Sequence, residues 1–371
     1  MTQRSKMIAI AAILAVAALG ALLRNSIRKS SWYKSKFDKQ VLHNGRFDNP
    51  EAVAIDAEGR VYVGCQNTGK FMVLDRSGKT LKEWTALEGY HNGAGAPSGF
   101  CRGLYIVIPE PGRVIQTGVH NVVEFDARGE TPKLIRIIGS QGSAPGQIDG
   151  PEGVSRDTNG DLYVTDEHNR RIVVYDAEGR HLRSWSVPQD PQCVTVWKDR
   201  VYVSLDKRNY TACYTKEGVE KFRIGHEALF PLILYVTIPG AVVSLILFMA
   251  LKKTKLALIL TASFLAAAGG GSALDFARHK SPGEYRLPDY IAVSPDQKEL
   301  YIVDRLNNRI QVTDLDGNFK RLFGRAGTTP GHLNDPKQIA FDPEGNLWVA
   351  DSDNNRLQVF SPDGKLLRIV E

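Results

Sequence analysis

Short apolar runs alternate with polar turns along most of this chain, and they recur in sets of four. In residues 151–186 the runs are Gly153-Val-Ser-Arg, Leu162-Tyr-Val-Thr, Ile172-Val-Val-Tyr and His181-Leu-Arg-Ser-Trp185. Asp157-Thr-Asn-Gly160 and Asp176-Ala-Glu-Gly179 separate them, placing Gly and Asn where a tight turn needs positive φ. Runs of this length, rich in β-branched and aromatic residues, predict four antiparallel strands, here called a to d. Between strands b and c stands a phrase that returns twice: Asp166-Glu-His-Asn169-Arg-Arg171, Asp304-Arg-Leu-Asn307-Asn-Arg309 and Asp351-Ser-Asp-Asn354-Asn-Arg356. The Asp and Asn side chains suit backbone groups of the b–c turn, and the Arg suits a carboxylate.

The same four-run pattern fits residues 50–84, 191–224, 288–323 and 336–370, with a diverged copy at about 102–138 where Val122-Val-Glu-Phe-Asp126-Ala-Arg-Gly129 matches Ile172 to Gly179. Six such sheets, each unable to bury both faces alone, predict an all-β, six-bladed β-propeller. The ring closes either through Lys39-Gln-Val-Leu42 clasping the last blade or with Leu366-Leu-Arg-Ile-Val370 as its own fourth strand. The recurring Pro-x-x-apolar, Gly-x-Leu-Tyr/Trp-Val and Asp-x-x-Asn-x-Arg elements resemble NHL repeats over residues 47–371, one insertion apart. The resemblance implies the propeller seen in the lyase domain of peptide-amidating enzymes and in many binding proteins. In architecture it extends to gluconolactonase- and strictosidine-synthase-like propellers. It implies fold far more than activity.

Three long apolar segments interrupt this pattern. Met7–Leu23 is uncharged between Lys6 and Arg24, and reads as an N-terminal transmembrane helix or signal anchor over residues 1–24, with a linker at 25–46. Ala228–Leu251 and Leu256–Leu274 flank Lys252-Lys-Thr-Lys255, and predict a transmembrane helical hairpin over residues 227–275. It lies between blades four and five, dividing the propeller into 47–226 and 276–371. A basic hairpin tip on the cytoplasmic side would place the propeller extracytoplasmic on a multi-pass membrane protein. The bilayer and a protein or lipid-linked partner are then the expected partners.

Charge and chemistry add less. The net charge of +6 concentrates beside the apolar segments, which argues against a nucleic-acid partner, although RNA-binding NHL propellers keep that reading open. Four cysteines lack metal-ligand spacing; Cys193 and Cys213, on strands a and c of one blade, are too far apart for a disulfide and read as buried thiols. The histidines contain no HExxH, and none stands in the strand-a position of an amidating-lyase zinc ligand. Gly64-Cys-Gln-Asn-Thr-Gly69-Lys70 resembles a phosphate-binding loop but runs into Phe71 without a helix, and Asp314-Leu-Asp-Gly317 lacks the Glu that ends a calcium loop. The residue after the proline that opens strand a should sit at the channel mouth: Glu51, Glu152, Gln192, Asp289 and Lys337. Glu51, Glu152, Gln192 and Asp289 are therefore the candidate ligand-binding set. Glu51, Glu152 and Asp289 are the candidate metal ligands, for a calcium ion above all. No catalytic set emerges. The leading expectation is a binding or scaffold module; a calcium-dependent hydrolase or lactonase on a lipophilic substrate is the alternative.

Overall fold

A computed structural model describes residues 46–90, 105–205, 209–226 and 280–371. They form six four-stranded antiparallel sheets. Blade one is β1 (Pro50–Ile55), β2 (Val61–Cys65), β3 (Lys70–Leu74) and β4 (Thr80–Trp84); blade two is β5 (Ile106–Glu110), β6 (Arg113–Thr117), β7 (Val122–Asp126) and β8 (Lys133–Ile138). Blade three is β9 (Val154–Arg156), β10 (Leu162–Asp166), β11 (Arg171–Tyr175) and β12 (His181–Ser186); blade four is β13 (Pro191–Trp197), β14 (Arg200–Leu205), β15 (Tyr210–Thr215) and β16 (Glu220–Ile224). Blade five is β17 (Pro288–Val293), β18 (Glu299–Asp304), β19 (Arg309–Asp314) and β20 (Phe319–Phe323); blade six is β21 (Pro336–Phe341), β22 (Leu347–Asp351), β23 (Arg356–Phe360) and β24 (Leu366–Val370). The innermost strands touch in ring order, β1, β5, β9, β13, β17, β21 and back to β1.

The expectation of membrane-spanning helices, and with it a multi-pass membrane location, is corrected here. Among the described residues no helix is long and apolar enough to cross a membrane. The segments that prompted it, 7–23, 228–251 and 256–274, lie outside the described residues.

Alternation along each strand sends one set of side chains into the gap before the blade and the other into the gap after it. The core is accordingly six separate apolar clusters, one per gap. Tyr62, Phe71 and Val73 of blade one meet Val114, Val123 and Phe125 of blade two, the Phe71 and Phe125 rings edge to face at 5.3 Å. Val61 and Val63 of the same blade meet Trp348 and Val359 of blade six. Strand d is half exposed in every blade, with an alternating pattern in β8 and β12.

Ring closure is decided by β24, which pairs with β23 and completes blade six from its own sequence. The Lys39–Leu42 clasp lies outside the described residues. Side chains join the two ends instead: Asn49 N donates to Asn355 Oδ1 at 2.8 Å, Ser352 Oγ to Pro50 O at 2.5 Å and Val53 N to Gln338 Oε1 at 3.2 Å. The Asn355 contact is a repeat device. Asn209 accepts from Leu287 N at 3.0 Å and Asn308 from Asp335 N at 2.9 Å, each across one blade boundary.

Some sequence choices follow from close approach. A Cβ on Gly153 would lie 2.8 Å from Gln192 O and 2.9 Å from Cys193 Cα, both backbone atoms of the next inner strand. Gly153→Ala should therefore cost about 1–3 kcal/mol of stability, read as a lowered urea midpoint with the m-value unchanged. Cys65, Cys193 and Cys213 are buried free thiols, as their positions predicted. Burial pushes them up to about 11, 12 and 11 respectively. All three should resist a disulfide reagent at pH 8 in the native protein and react on unfolding, read by peptide mass spectrometry.

Candidate ligand-binding mouth

The repeated Asp serves the b–c turn. Asp304 is fully buried and accepts from Arg309 Nε at 2.6 Å, from Asn307 Nδ2 at 3.0 and 2.9 Å, from Gln311 Nε2 at 2.9 Å and from Arg286 N at 2.7 Å. Asp351 repeats this with Arg356, Asn354, Gln358 and Asn334 N. Asp166 does so with Arg171, Asn169 and Asp149 N. These bonds anchor the loop that arrives from the previous blade, so they set where each inner strand begins and where its opening residue stands.

Those opening residues are the predicted ring, and the structure brings part of it into one network. Lys337 Nζ lies 3.6 Å from Glu51 Oε1 and 3.6 Å from Asp289 Oδ2. Arg305 reaches Asp289 Oδ2 at 3.4 Å and pairs with Asp335 through Nε at 2.5 Å and Nη2 at 3.1 Å. Tyr105 donates its hydroxyl to Asp289. Glu51, Asp289 and Lys337 are all buried, and Glu51 Oε2 and Asp289 Oδ2 have no hydrogen-bond donor among the described residues.

Glu152 and Gln192 make no side-chain hydrogen bond or ion pair to this network among the described residues, although the charges of Lys337, Glu51 and Arg305 reach Glu152. Gln192 Nε2 is 3.5 Å from Glu167 Oε1, and Glu167 leads outward to His168 at 3.9 Å. His168 and His120 both approach Asp149, at 3.4 and 2.9 Å. The mouth thus has two halves. Blades five, six and one hold a cation-bridged network; blades three and four hold an acidic edge. His332 lies elsewhere, in the loop before blade six, hydrogen-bonded to Arg325 and Thr329; His91 lies outside the described residues.

Electrostatics differ between the halves. Burial opposes the Lys337 ammonium, as does Arg305, but Glu51, Asp289 and Asp335 outweigh them and hold its pKa above the ordinary lysine value. Burial raises Glu51 despite the pull of Lys337 and Arg305. On the acidic edge, burial and then the charge of Glu167 push Glu152 up to about 8, against the pull of Lys337 and Arg305, so near neutrality it keeps its proton. Two cations, Lys337 and Arg305, share the mouth with five carboxylates: Glu51, Glu152, Glu167, Asp289 and Asp335.

Beneath the ring the channel is crossed by side chains. Gln338 Nε2 donates to Ile106 O at 2.8 Å and to Tyr290 OH at 3.0 Å, and its Oε1 accepts from Ile106 N at 3.1 Å. The Tyr105 and Tyr290 rings lie 5.0 Å apart. The mouth is therefore a polar cup with a floor. Sequence reasoning missed Tyr105, Glu167, Arg305, Asp335 and Gln338. Glu167 and Arg305 had a signal, since each follows a phrase Asp directly, at the position of Gln66 and Ser352 in blades one and six.

A model of the SMP-30/gluconolactonase/LRE-like region matches residues 278–371, and a model of the NHL repeat matches residues 149–175. The chain is a six-bladed propeller of the NHL and SGL-like type. Solved structures similar to it include a streptogramin B lyase, at 14% identity and a TM-score of 0.51 with 89% of this chain and 85% of the other covered. A catalytically inactive virginiamycin B lyase from Staphylococcus aureus with quinupristin gives 15% and 0.50, covering 88% and 85%. A protein of unknown function from Bacteroides thetaiotaomicron gives 16% and 0.54, covering 86% and 70%. At these identities the likeness is one of fold. As an NHL and SGL-like propeller the chain offers a rigid disc with a furnished mouth, an architecture usable as a binding scaffold.

Proposed function

We propose that this propeller is a binding module whose mouth takes a ligand or partner group bearing an ammonium. The observation that carries the reading is the acidic edge: Glu152 and Glu167 are coupled, and the repulsion between them is one cause of the raised Glu152 pKa. Gln192 beside them offers an amide. An incoming cation relieves that repulsion and gains two charge-assisted hydrogen bonds. The cup floor of Tyr105, Tyr290 and Gln338 limits depth, which favours a terminal group over a threaded chain.

Lys337 has the place that sequence reasoning gave to calcium. Its ammonium already bridges Glu51 and Asp289, and among the described residues no three His, Cys, Asp or Glu side chains are grouped to hold a metal. A calcium ion needs about six to eight oxygens, so the residues as arranged suit the lysine and do not fit that ion.

Thermal-shift titration with ethanolamine and spermidine tests the proposal. Saturable stabilisation that weakens tenfold or more in Glu167→Gln supports it. No shift with either amine, or an equal shift in the variant, contradicts it.

A further inference from the structure

Blade two breaks a rule that the other five blades keep. Near the start of strand b those blades carry an aromatic ring paired across to a small or aliphatic residue of strand c: Tyr62 with Val73, Tyr163 with Val174, Tyr202 with Cys213, Tyr301 with Val312 and Trp348 with Val359. The ring ties the blade to its neighbour. Tyr62 OH accepts from Gly112 N at 2.9 Å, while Tyr202 OH donates to Leu315 O and Tyr301 OH to Pro362 O, both at 2.9 Å. It also carries a basic side chain from strand d, with Arg183, Arg321 and Arg368 lying 5.8, 5.5 and 4.7 Å from the rings of Tyr163, Tyr301 and Trp348.

In blade two the pair is Ile115 with Glu124. The ring is gone, and a carboxylate that is 1% exposed stands where the others have Val or Cys. Glu124 accepts from Arg113 Nε and Arg136 Nε, both at 2.5 Å, one on each oxygen. The space opens as a cavity of about 200 Å³ lined by Pro109, Glu110, Arg113, Glu124, Arg136 and Arg156. It lies between blades two and three, among the a–b and c–d turns, on the face opposite the mouth.

We propose that this cavity is an oxyanion site, for a phosphate or phosphomonoester group. Glu124 uses one Nε of each arginine and so fixes two guanidinium planes. Their terminal nitrogens are left without a hydrogen bond among the described residues; Glu110 Oε1 lies 3.6 Å from Arg113 Nη1. Arg156 stands exposed at the rim and has no hydrogen bond or ion pair there. Three guanidinium groups against two carboxylates give the cavity a net positive charge. Fork-shaped donors held in plane match oxyanions better than any other common ligand. A volume of about 200 Å³ corresponds to roughly six waters, enough for a phosphate with part of its shell.

Isothermal titration of the full chain with inorganic phosphate, at constant ionic strength held with chloride, tests the site. Saturable one-to-one binding is expected. Arg156→Ala should weaken it about tenfold and leave the melting temperature without phosphate unchanged. Ile115→Tyr, which restores the ring of the other blades, should fill the cavity and abolish binding in a folded protein. Tighter binding of phenyl phosphate than of inorganic phosphate supports a phosphomonoester ligand, and the reverse supports the free anion. No saturable binding of either ligand, or wild-type affinity in either variant, overturns the proposal. It stands independently of the mouth.

Discussion

Replacing Asp304 by Ala should lower the free energy of unfolding by about 3–5 kcal/mol. Asp304 accepts five hydrogen bonds from four residues in a fully buried position, and Arg309 is itself buried at 8% exposure. The substitution leaves a guanidinium, two side-chain amides and the Arg286 N–H without their acceptor, and a buried charge without its partner costs far more than the pair contributes. The damage goes beyond stability, because Arg309 also donates to Lys280 O, Ser281 O and Glu284 O. Those bonds hold the loop that leads into β17, and Asp289 opens that strand. Urea denaturation checks the number; a loss below about 1 kcal/mol would show that the turn is held by backbone alone.

Stability should fall as pH rises from about 5 to 8, and Glu152→Gln should reduce that fall by the share Glu152 contributes. The native carboxyl sits at about 8 against a reference value of 4.5. Between those values the native state holds a proton that the unfolded state has released, so raising the pH favours unfolding. The stability Glu152 contributes is fully present below the lower value and lost as pH passes the upper one. Each pH unit in the window is worth about 1.4 kcal/mol, for a total on the order of 3–5 kcal/mol. At pH 8 and above the glutamine variant should therefore be the more stable protein, and at pH 4 the two should be nearly equal. Denaturation midpoints measured from pH 4 to 9 decide this; parallel profiles for wild type and variant would remove Glu152 from the account.

The blades were legible because their signals are local. Turn glycines, alternating strands and the Asp-x-x-Asn-x-Arg phrase sit within one repeat, and each strand pair is closed within a few residues. Ring closure was not legible, since Leu366–Val370 and Lys39–Leu42 both satisfy strand patterning and only three-dimensional pairing separates them. The mouth was half legible. Pro-Glu, Pro-Gln, Pro-Asp and Pro-Lys mark a column of the repeat, so Glu51, Glu152, Gln192, Asp289 and Lys337 could be named. What charge sits against what charge depends on six blades closing; Lys337 reads from the sequence as an internal counter-charge to the rim carboxylates, but its bridge between Glu51 and Asp289 in particular does not. Tyr105 belongs to the diverged blade two, whose opening lacks the marker proline, so it carried no signal. Glu124 was visible in Val122-Val-Glu-Phe-Asp126, yet a glutamate in a strand reads as solvent-facing until the next blade covers it. The apolar segments show the reverse error: length and hydropathy alone suggested spans, and no described helix supports them.

The Glu152–Glu167 edge should receive a cation and give up a proton in doing so. Calorimetric titration of ethanolamine at pH 7, repeated in buffers of different ionisation enthalpy, measures that proton directly. Because Glu152 is held well above the ordinary glutamate range, binding should release protons in the wild type and none in Glu152→Gln. Binding with no proton release in the wild type, or the same release from the variant, would contradict the account.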